Sequence, residues 1–164
     1  MPTFSFDIIS DYDKAEMNNV FMQTEKEITG RYDFKGSPAA IEWLADKKGF
    51  KLIGANAWQV EAILDIVRKK LAARNQTSKV LDLSKEIIEQ NLKASWDIPF
   101  IAGLDQEKAK DISKRIRDNA PKAKPQIQGD VVRVTSSSKD ELQKVIQLLN
   151  EADLSYPLQY TNYR

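Results

Sequence analysis

Apolar and polar residues alternate along several short segments of this chain and recur with helical spacing along others. Residues 4–10 alternate as a half-buried strand does, with phenylalanine and isoleucine side chains on one side. Apolar residues then recur every three or four positions up to Ile28, which predicts an amphipathic helix. We expect Asp11 to cap this helix and Gly30 to end it in a left-handed conformation. A strand and a helix therefore open the chain.

A hairpin and a second helix are predicted next. Residues 31–35 and 50–55 alternate, and residues 42–45 form a weaker strand. A clean apolar stripe predicts a helix over residues 57–74. The mixed segment 75–91 is predicted to be a connection with one turn of helix. The first half thus has the order β-α-β-β-α.

The second half repeats this order. A strand at residues 92–98 precedes a helix that Asp105 caps. A hairpin turns at residues 129–130, and Ser138 begins a capping box at the start of the last helix. Residues 158–163 alternate and are rich in strand formers, so we expect them to close a sheet.

An internal repeat links the two halves. A shift of about half the chain length aligns Phe50-Lys51-Leu52 with Val132-Arg133-Val134, and the apolar positions of the following helices also align. A β-α-β-β-α-β unit packs two helices on one face of a four-stranded antiparallel sheet and leaves the other face free. The sequence therefore predicts an α+β protein of two ferredoxin-like modules, and ligands are expected on the open sheet faces.

Composition excludes several kinds of chemistry. The 25 basic and 24 acidic side chains leave a net charge of +1, so any affinity for anions must come from local patches. With no cysteine and no histidine, the chain has no thiolate metal site, thiol nucleophile or imidazole-based catalysis. No Gly-rich phosphate loop, Walker lysine motif or metal-ligand spacing is present in the sequence. We expect no enzyme activity, no cofactor and no metal.

The sequence also lacks the patterns that direct a chain to a membrane. No basic segment followed by a long apolar run occurs at the N-terminus, and no stretch has the length needed to span a bilayer. We expect a cytoplasmic protein with no membrane partner.

Cationic and amide side chains are predicted on the open faces. If the apolar residues of the strands face the helices, the side chains between them point outward: Lys51, Gln126, Gln128, Arg133 and Thr135. Arg and Lys donate charge-assisted hydrogen bonds to phosphate, and Gln can contact the edge of a base. This surface suits a nucleotide or an RNA backbone, although an ordinary solvated strand face has the same pattern.

Two further cations lie on the segment 31–35. As a strand it would place Arg31 and Lys35 on one side and two aromatic rings on the other. The segment is either a phosphate clamp beside an aromatic surface or a plain strand, and spacing alone favours the plain strand. Residues 108–124 carry seven basic side chains, which could follow phosphates or form a solvated helix face. Residues 126–135 lack the aromatic signature of RNA-recognition domains.

Several motifs together resemble the bacterial YajQ family, and the similarity spans nearly the whole chain. They are Phe6-Asp7-Ile8-Ile9-Ser10, Arg31-Tyr32-Asp33-Phe34-Lys35, Gln126-Ile127-Gln128-Gly129-Asp130, Val132-Arg133-Val134-Thr135 and Asn162-Tyr163-Arg164. The resemblance implies tandem ferredoxin-like, RNP-like domains that exchange their N-terminal strands. Module one would then comprise residues 11–98, including the exchanged strand near 92–98, and module two residues 1–10 with 99–164. Family members are described as non-enzymatic nucleotide-binding proteins, with nucleic acid as a proposed ligand and cyclic di-GMP bound by some.

Three functions remain open at this point. The leading one is binding of a nucleotide or RNA, with phosphate neutralised by Arg31, Lys35, Lys51 and Arg133 and base or ribose contacted by Gln126 and Gln128. The second is a protein-interaction module that docks on a regulatory protein through its open sheets or edges. The third, an enzyme that uses carboxylates such as Asp7, Asp33 or Asp130, is the least favoured because no spacing brings two of them together.

Overall fold

The computed structural model describes residues 3–152 and 154–164, and these divide into two compact units. The N-terminal unit comprises residues 12–101, and the C-terminal unit comprises residues 3–11 together with 102–164. The α-helices are Lys14–Gly30 (α1), Ala57–Ala73 (α2), Gln106–Asn119 (α3) and Lys139–Glu151 (α4). The strands are Phe4–Ile9 (β1), Ala40–Trp43 (β2), Gly49–Gly54 (β3), Ile88–Gln90 (β4), Lys93–Pro99 (β5), Lys124–Gln128 (β6), Val131–Ser136 (β7) and Gln159–Thr161 (β8).

Each unit contains one antiparallel sheet of four strands. The strand order is β6-β7-β1-β8 in the C-terminal unit, so β1 lies between two strands from the far end of the chain. The order in the N-terminal unit is β2-β3-β5-β4. Helices α1 and α2 pack on one sheet, and α3 and α4 pack on the other. The predicted α+β class with two ferredoxin-like modules is confirmed.

The two sheets correspond strand for strand. Strand β3 has the place that β7 has in the other unit, β2 corresponds to β6, and β5 corresponds to β1. Helix α2 follows β3 as α4 follows β7. Lys51 and Arg133, which the sequence repeat aligns, therefore occupy equivalent positions on central strands.

Alternation along the central strands separates the core from the open faces. In β3, Phe50 and Leu52 are fully buried, whereas Lys51 between them is half-buried. In β7, Val132 and Val134 are fully buried around the half-buried Arg133. Because successive side chains of a strand point to opposite faces, the cations lie on the faces away from the helices.

The helix caps agree in part with the predictions. Asp105 caps α3 and Ser138 caps α4, each accepting the backbone N–H three residues later, at 2.8 and 3.3 Å. The prediction that Asp11 caps α1 is wrong, because the helix begins after Asp13 and that residue is the cap. The left-handed stop at Gly30 is also wrong, because Gly30 is the last helical residue and the next residue is extended.

The segment 31–35 is not a strand, and that prediction is wrong. Tyr32–Phe34 form one turn of 3₁₀ helix, in which the N–H of Phe34 donates to the carbonyl of Arg31 at 3.2 Å. Phe34 is buried, and Arg31 pairs with Asp33 two residues later. The local ion pair and the buried ring stabilise a tight turn, although the polar and aromatic residues alternate as in a strand.

The connection between α2 and β5 has more structure than predicted. It contains the expected single helical turn, at Ser78–Val80, and also the strand β4. Asn91 and Leu92 both have positive φ angles, 52° and 63°, and turn β4 back along β5. Residues with positive φ at both central positions match the twist of a two-residue hairpin. Among the described helices, none is long and apolar enough to cross a lipid bilayer.

Candidate functional site

The open face of the C-terminal unit centres on an ion pair between its two central strands. Asp7 of β1 lies directly opposite Arg133 of β7. Arg133 Nε donates to Asp7 Oδ1 at 2.9 Å, and a terminal guanidinium nitrogen donates to Oδ2 at 3.4 Å. Asn162 Nδ2 donates to the same Oδ2 at 2.9 Å. Three donors therefore hold a carboxylate whose residue is only 4% exposed.

This arrangement fixes both charges. The hydrogen bond from Arg133 lowers the pKa of Asp7 by more than burial raises it, and the hydrogen bond from Asn162 lowers it further. The Asp7 carboxylate in turn raises the pKa of Arg133. Both groups are therefore ionised near neutral pH and already satisfied by one another.

Asn162 reaches the carboxylate because the chain bulges after β8. If the pairing of β8 with β1 continued without a break, Tyr163 would lie opposite Ser5. Instead, the backbones of Ser5 and Arg164 pair, through hydrogen bonds of 2.9 and 3.2 Å. One extra residue is therefore accommodated, and Asn162 adopts a φ of 54°. Asparagine tolerates this left-handed conformation, and a bulge re-aims a side chain toward a neighbouring strand.

The amides predicted on this face lie on the edge strand β6. Gln126 is directly opposite Arg133, and Gln128 is opposite Val131. Both glutamines are exposed, and neither side chain has a hydrogen bond within the part of the chain that the structure describes. The structure thus brings Gln126 next to Arg133 and leaves both amides available to a ligand.

The open face of the N-terminal unit has a different centre. Lys51 of β3 lies opposite Glu42 of β2 on one side and Asp97 of β5 on the other. Within residues 3–152 and 154–164, Lys51 has no ion pair within 4.0 Å. Its ammonium group is therefore not held in an ion pair by any residue that the structure describes.

A groove of about 370 Å³ lies beside Lys51, and we call it the open-face groove. It is lined by Lys51, Ile53, Ile88, Gln90, Asn91, Lys93, Ala94 and Ser95. Strand β4, which forms one wall, is anchored because the Glu89 carboxylate accepts the N–H of Ala57 at 3.0 Å. The groove thus combines two lysines and two amides with an apolar floor.

Arg31 and Lys35 lie on the 3₁₀ turn and not on an open sheet face. Arg31 donates to both carboxylate oxygens of Asp33, at 3.0 and 2.9 Å, and lies 3.6 Å from Glu27. These contacts raise the pKa of Arg31, and its hydrogen bonds lower the pKa of Asp33. Lys35 Nζ lies 5.9 Å from the ring centroid of the exposed Tyr32. The phosphate-clamp geometry considered for this segment does not form, because it required a strand.

The basic segment 108–124 divides into paired and unpaired cations. Arg115 pairs with Asp111 at 3.0 Å, and Lys108 lies 4.9 Å from the ring centroid of Tyr156. The other cations of α3 are Lys110, Lys114 and Arg117, which are exposed and have no ion pair with another described residue. Their spacing of four and three residues places them on one helix face.

The carboxylates considered for catalysis are not poised for proton transfer. Asp7 and Asp33 each have an arginine partner that lowers the pKa, so neither holds a proton near neutral pH. Asp130 lies in the exposed turn between β6 and β7. No group of three or more acidic, histidine or cysteine side chains in the described residues is placed to hold a metal ion.

The sequence did not identify three residues of the open-face groove. Gln90 and Asn91 lie in or next to β4, a strand of three residues that was predicted to be a connection, and Lys93 begins β5, a predicted strand in which no site residue was named. A usable signal was present, because Asn91 follows a short β-branched and polar segment and precedes a second strand. Asn162 was named only as part of a motif, since a bulge leaves no mark in an alternating pattern.

Comparisons with known proteins agree with the resemblance seen in the sequence. The family described as "Nucleotide-binding protein YajQ-like" matches residues 4–164. A protein of Synechococcus elongatus named nucleotide-binding protein is 39% identical over 160 residues, which cover 98% of this chain and 97% of that protein. Similarly named proteins of a Nocardioides species and a Marinomonas species are 41% and 40% identical, and each comparison covers at least 98% of both chains. The chain belongs to the YajQ-like nucleotide-binding protein family.

Proposed function

We propose that this protein binds a nucleotide, without catalysis, in the open-face groove of its N-terminal unit. One observation carries the proposal: the groove combines two lysines that form no ion pair with any described residue with two amides and an exposed apolar floor. The names of the relatives, which describe them as nucleotide-binding proteins, support the same class of ligand. Small-molecule sites commonly combine an apolar surface with a few convergent polar groups in this way.

Each part of a nucleotide has a suitable counterpart in the groove. Lys51 and Lys93 neutralise phosphate as point charges. The amides of Gln90 and Asn91 both donate and accept hydrogen bonds, as contact with a base edge or a ribose requires. Ile88 is 57% exposed and covers the apolar face of the base or sugar.

The C-terminal unit is proposed to contribute less to phosphate binding. Arg133 would have to give up its hydrogen bonds to the buried Asp7 carboxylate before it could neutralise a phosphate. Gln126 and Gln128 remain available for contacts with a base or an RNA strand. Arg31 and Lys35 are proposed only as peripheral cations, because Arg31 already has two acidic partners.

Calorimetric titration identifies the ligand and tests the site. Purified protein is titrated with cyclic di-GMP, ATP, GTP and a short structured RNA at low and moderate salt. We expect saturable binding to at least one of these. Replacing Lys51 with Gln should then weaken that binding at least tenfold, because a charge-assisted hydrogen bond contributes about 1.5 to 3 kcal/mol and 1.4 kcal/mol is tenfold in affinity.

Lys69→Gln is the matched control for this substitution. Lys69 is an exposed lysine of α2, the helix that covers the opposite face of the same sheet. Replacing it removes the same charge from the protein, but at a position away from the groove. The Lys69→Gln variant should therefore bind the ligand with the affinity of the wild type. Unchanged binding in Lys51→Gln, or equal losses in both variants, would contradict the proposed site.

A second candidate function, docking on a regulatory protein, is favoured by the hairpin β4–β5. Leu92 at its turn is 94% exposed and Ile88 is 57% exposed, and β4 is an edge strand. Exposed apolar side chains beside a free strand edge are typical of protein contacts. A partner that is retained through nuclease and high salt, and lost in Leu92→Ser, would support docking over nucleotide binding.

A further inference from the structure

We propose that the N-terminal unit has a second ligand site, separate from the open-face groove, for a small phosphomonoester that carries an apolar ring. The site is a cavity of about 420 Å³ where the start of α1 meets the turn between β2 and β3, and we call it the hairpin pocket. It is lined by Tyr12, Lys14, Ala15, Met17, Asn18, Trp43, Asp46, Lys47 and Lys48. Its volume falls within the range of about 300 to 1,000 Å³ that small-molecule sites occupy.

The inner wall of the hairpin pocket is apolar and rigid. Met17 is 1% exposed, and the Trp43 ring is held by stacking on Phe21, with centroids 4.7 Å apart and planes 18° apart. The Asn18 amide lies on the same wall and donates only to the thioether sulfur of Met22, at 3.7 Å, among the described residues. A thioether is a weak acceptor, so this amide can donate to a ligand at little cost.

The rim of the hairpin pocket is cationic. Lys14, Lys47 and Lys48 are exposed, and none has an ion pair within 4.0 Å in the described part of the chain, although Lys47 Nζ lies 5.4 Å from the centroid of the Trp43 ring. Among the described lining residues Asp46 is the only acidic one, so three lysines and one aspartate give these residues a net charge of +2. A phosphomonoester carries a charge of about −1.5 to −2 at pH 7, so it matches this balance better than a monoanion does.

The turn that carries two of these lysines is held by its own backbone hydrogen bonds. Asp46 and Lys47 both have positive φ angles, 57° and 55°. The N–H groups of Lys47 and Lys48 donate to the carbonyls of Leu44 and Ala45, at 3.0 and 3.2 Å. Positive φ angles suit a hairpin turn, as they do at Asn91 and Leu92, and the two hydrogen bonds hold this turn, with its lysines, at the rim of the pocket.

The hairpin pocket and the open-face groove lie on opposite faces of one sheet. Trp43 is paired with Phe50, whose side chain is buried against the helices, whereas Lys51 and Ile53 point away from them. A small ligand in one site therefore does not contact the lining of the other. The second site does not depend on the proposed nucleotide function.

Trp43 allows the pocket to be observed selectively. The full chain has three tryptophans, and Trp58→Phe with Trp96→Phe leaves Trp43 as the only one. This protein is titrated with phenyl phosphate while the Trp43 emission is recorded. We expect a saturable change in the Trp43 emission. When Lys47→Glu and Lys48→Glu are added to this protein, the affinity for phenyl phosphate should fall at least tenfold, because roughly one or two charge-assisted contacts are lost.

The controls separate anion recognition from other effects. Phenol, which has the ring without the phosphate, should bind much more weakly than phenyl phosphate, and Lys51→Gln should leave the titration unchanged. Lys14→Gln, a milder change on the same rim, should weaken binding about threefold. Circular dichroism and thermal unfolding confirm that each variant is folded.

Any one of three results would contradict the proposed site in the hairpin pocket. They are no saturable change in Trp43 emission, an unchanged affinity after charge reversal at Lys47 and Lys48, or binding of phenol as tight as that of phenyl phosphate. Unchanged nucleotide affinity in the calorimetry of Lys51→Gln would instead contradict the proposed nucleotide site in the open-face groove. The two proposals therefore fail in different experiments.

Discussion

The open faces of the two units share one plan and use it differently. In each, a cation on one central strand lies opposite an aspartate on the other: Arg133 opposite Asp7, and Lys51 opposite Asp97. Arg133 and Asp7 form an ion pair with an N–O distance of 2.9 Å, whereas Lys51 and Asp97 form no ion pair within 4.0 Å in the described structure. The planar guanidinium holds a carboxylate with two donors, but an ammonium group on a flexible stem remains solvated.

The surroundings of the two pairs widen this difference. Asn162 adds a third donor to Asp7 and completes a closed network. In the N-terminal unit the neighbour of the equivalent strand is β4, whose hairpin forms the wall of a groove. Equivalent positions in a repeated fold can therefore serve stability in one copy and remain free for a ligand in the other.

The largest expected effect comes from removing the charge of Asp7. Asp7→Asn leaves Arg133 without its anion and places amide hydrogens against other donors, so we expect the free energy of unfolding to fall by about 2 kcal/mol. Asp97→Asn at the equivalent position should have little effect. Urea unfolding followed by circular dichroism measures both, and equal losses would show that the two faces are alike after all.

Acid should reveal the same difference, with a smaller effect. The pKa of Asp7 in the folded protein lies below its ordinary value of 3.8, so the unfolded chain takes up the proton first as the pH falls. The stabilisation by Asp7 is therefore complete above about pH 5 and is lost as the pH falls below about 4 toward the folded value.

Urea unfolding between about pH 6 and pH 2.5 tests this dependence. The stability of Asp7→Asn should fall less steeply than that of the wild type over this range. Asp97→Asn should follow the wild type, because Asp7 is intact in that variant. Parallel curves for all three proteins would contradict the role of the Asp7 network.

The smallest expected effect comes from a substitution that makes the open face of the N-terminal unit resemble that of the C-terminal unit. Lys51→Arg allows a bidentate pair with Asp97, which should raise the free energy of unfolding by about 0.5 kcal/mol or less. It should also weaken nucleotide binding about threefold, because the cation acquires a protein partner. Tighter binding in Lys51→Arg would mean that Asp97 does not compete for the cation.

Local signals in the sequence predicted most of the fold. Asp105, Ser138 and the turn at residues 129–130 are short-range features whose chemistry acts within a few residues, and the structure has each of them. The apolar stripes of α2 and α4 are equally local. These features could be predicted because each is satisfied by its own segment.

Features that depend on distant partners or on competing local interactions were missed. The alternation at residues 31–35 predicts a strand only if an ion pair such as Arg31–Asp33 does not favour a turn. Strand β4 is too short to form alone and exists because it pairs with β5. The neutralisation of Arg133 by Asp7 joins residues at opposite ends of the chain, and only the register of β1 and β7 reveals it.

The place of β1 in its sheet also affects the order in which the chain can fold during synthesis. All four strands of the N-terminal unit lie between residues 40 and 99, so its sheet can form once that stretch has left the ribosome. Strand β1 is synthesised before that stretch, but it pairs with β7 and β8, which are synthesised after it. Phe6 and Ile8, which are fully buried in the folded protein, therefore lack their sheet until β7 and β8 have been synthesised. Strand β1 thus precedes the N-terminal unit in synthesis but reaches its folded place after that unit can already have formed its sheet.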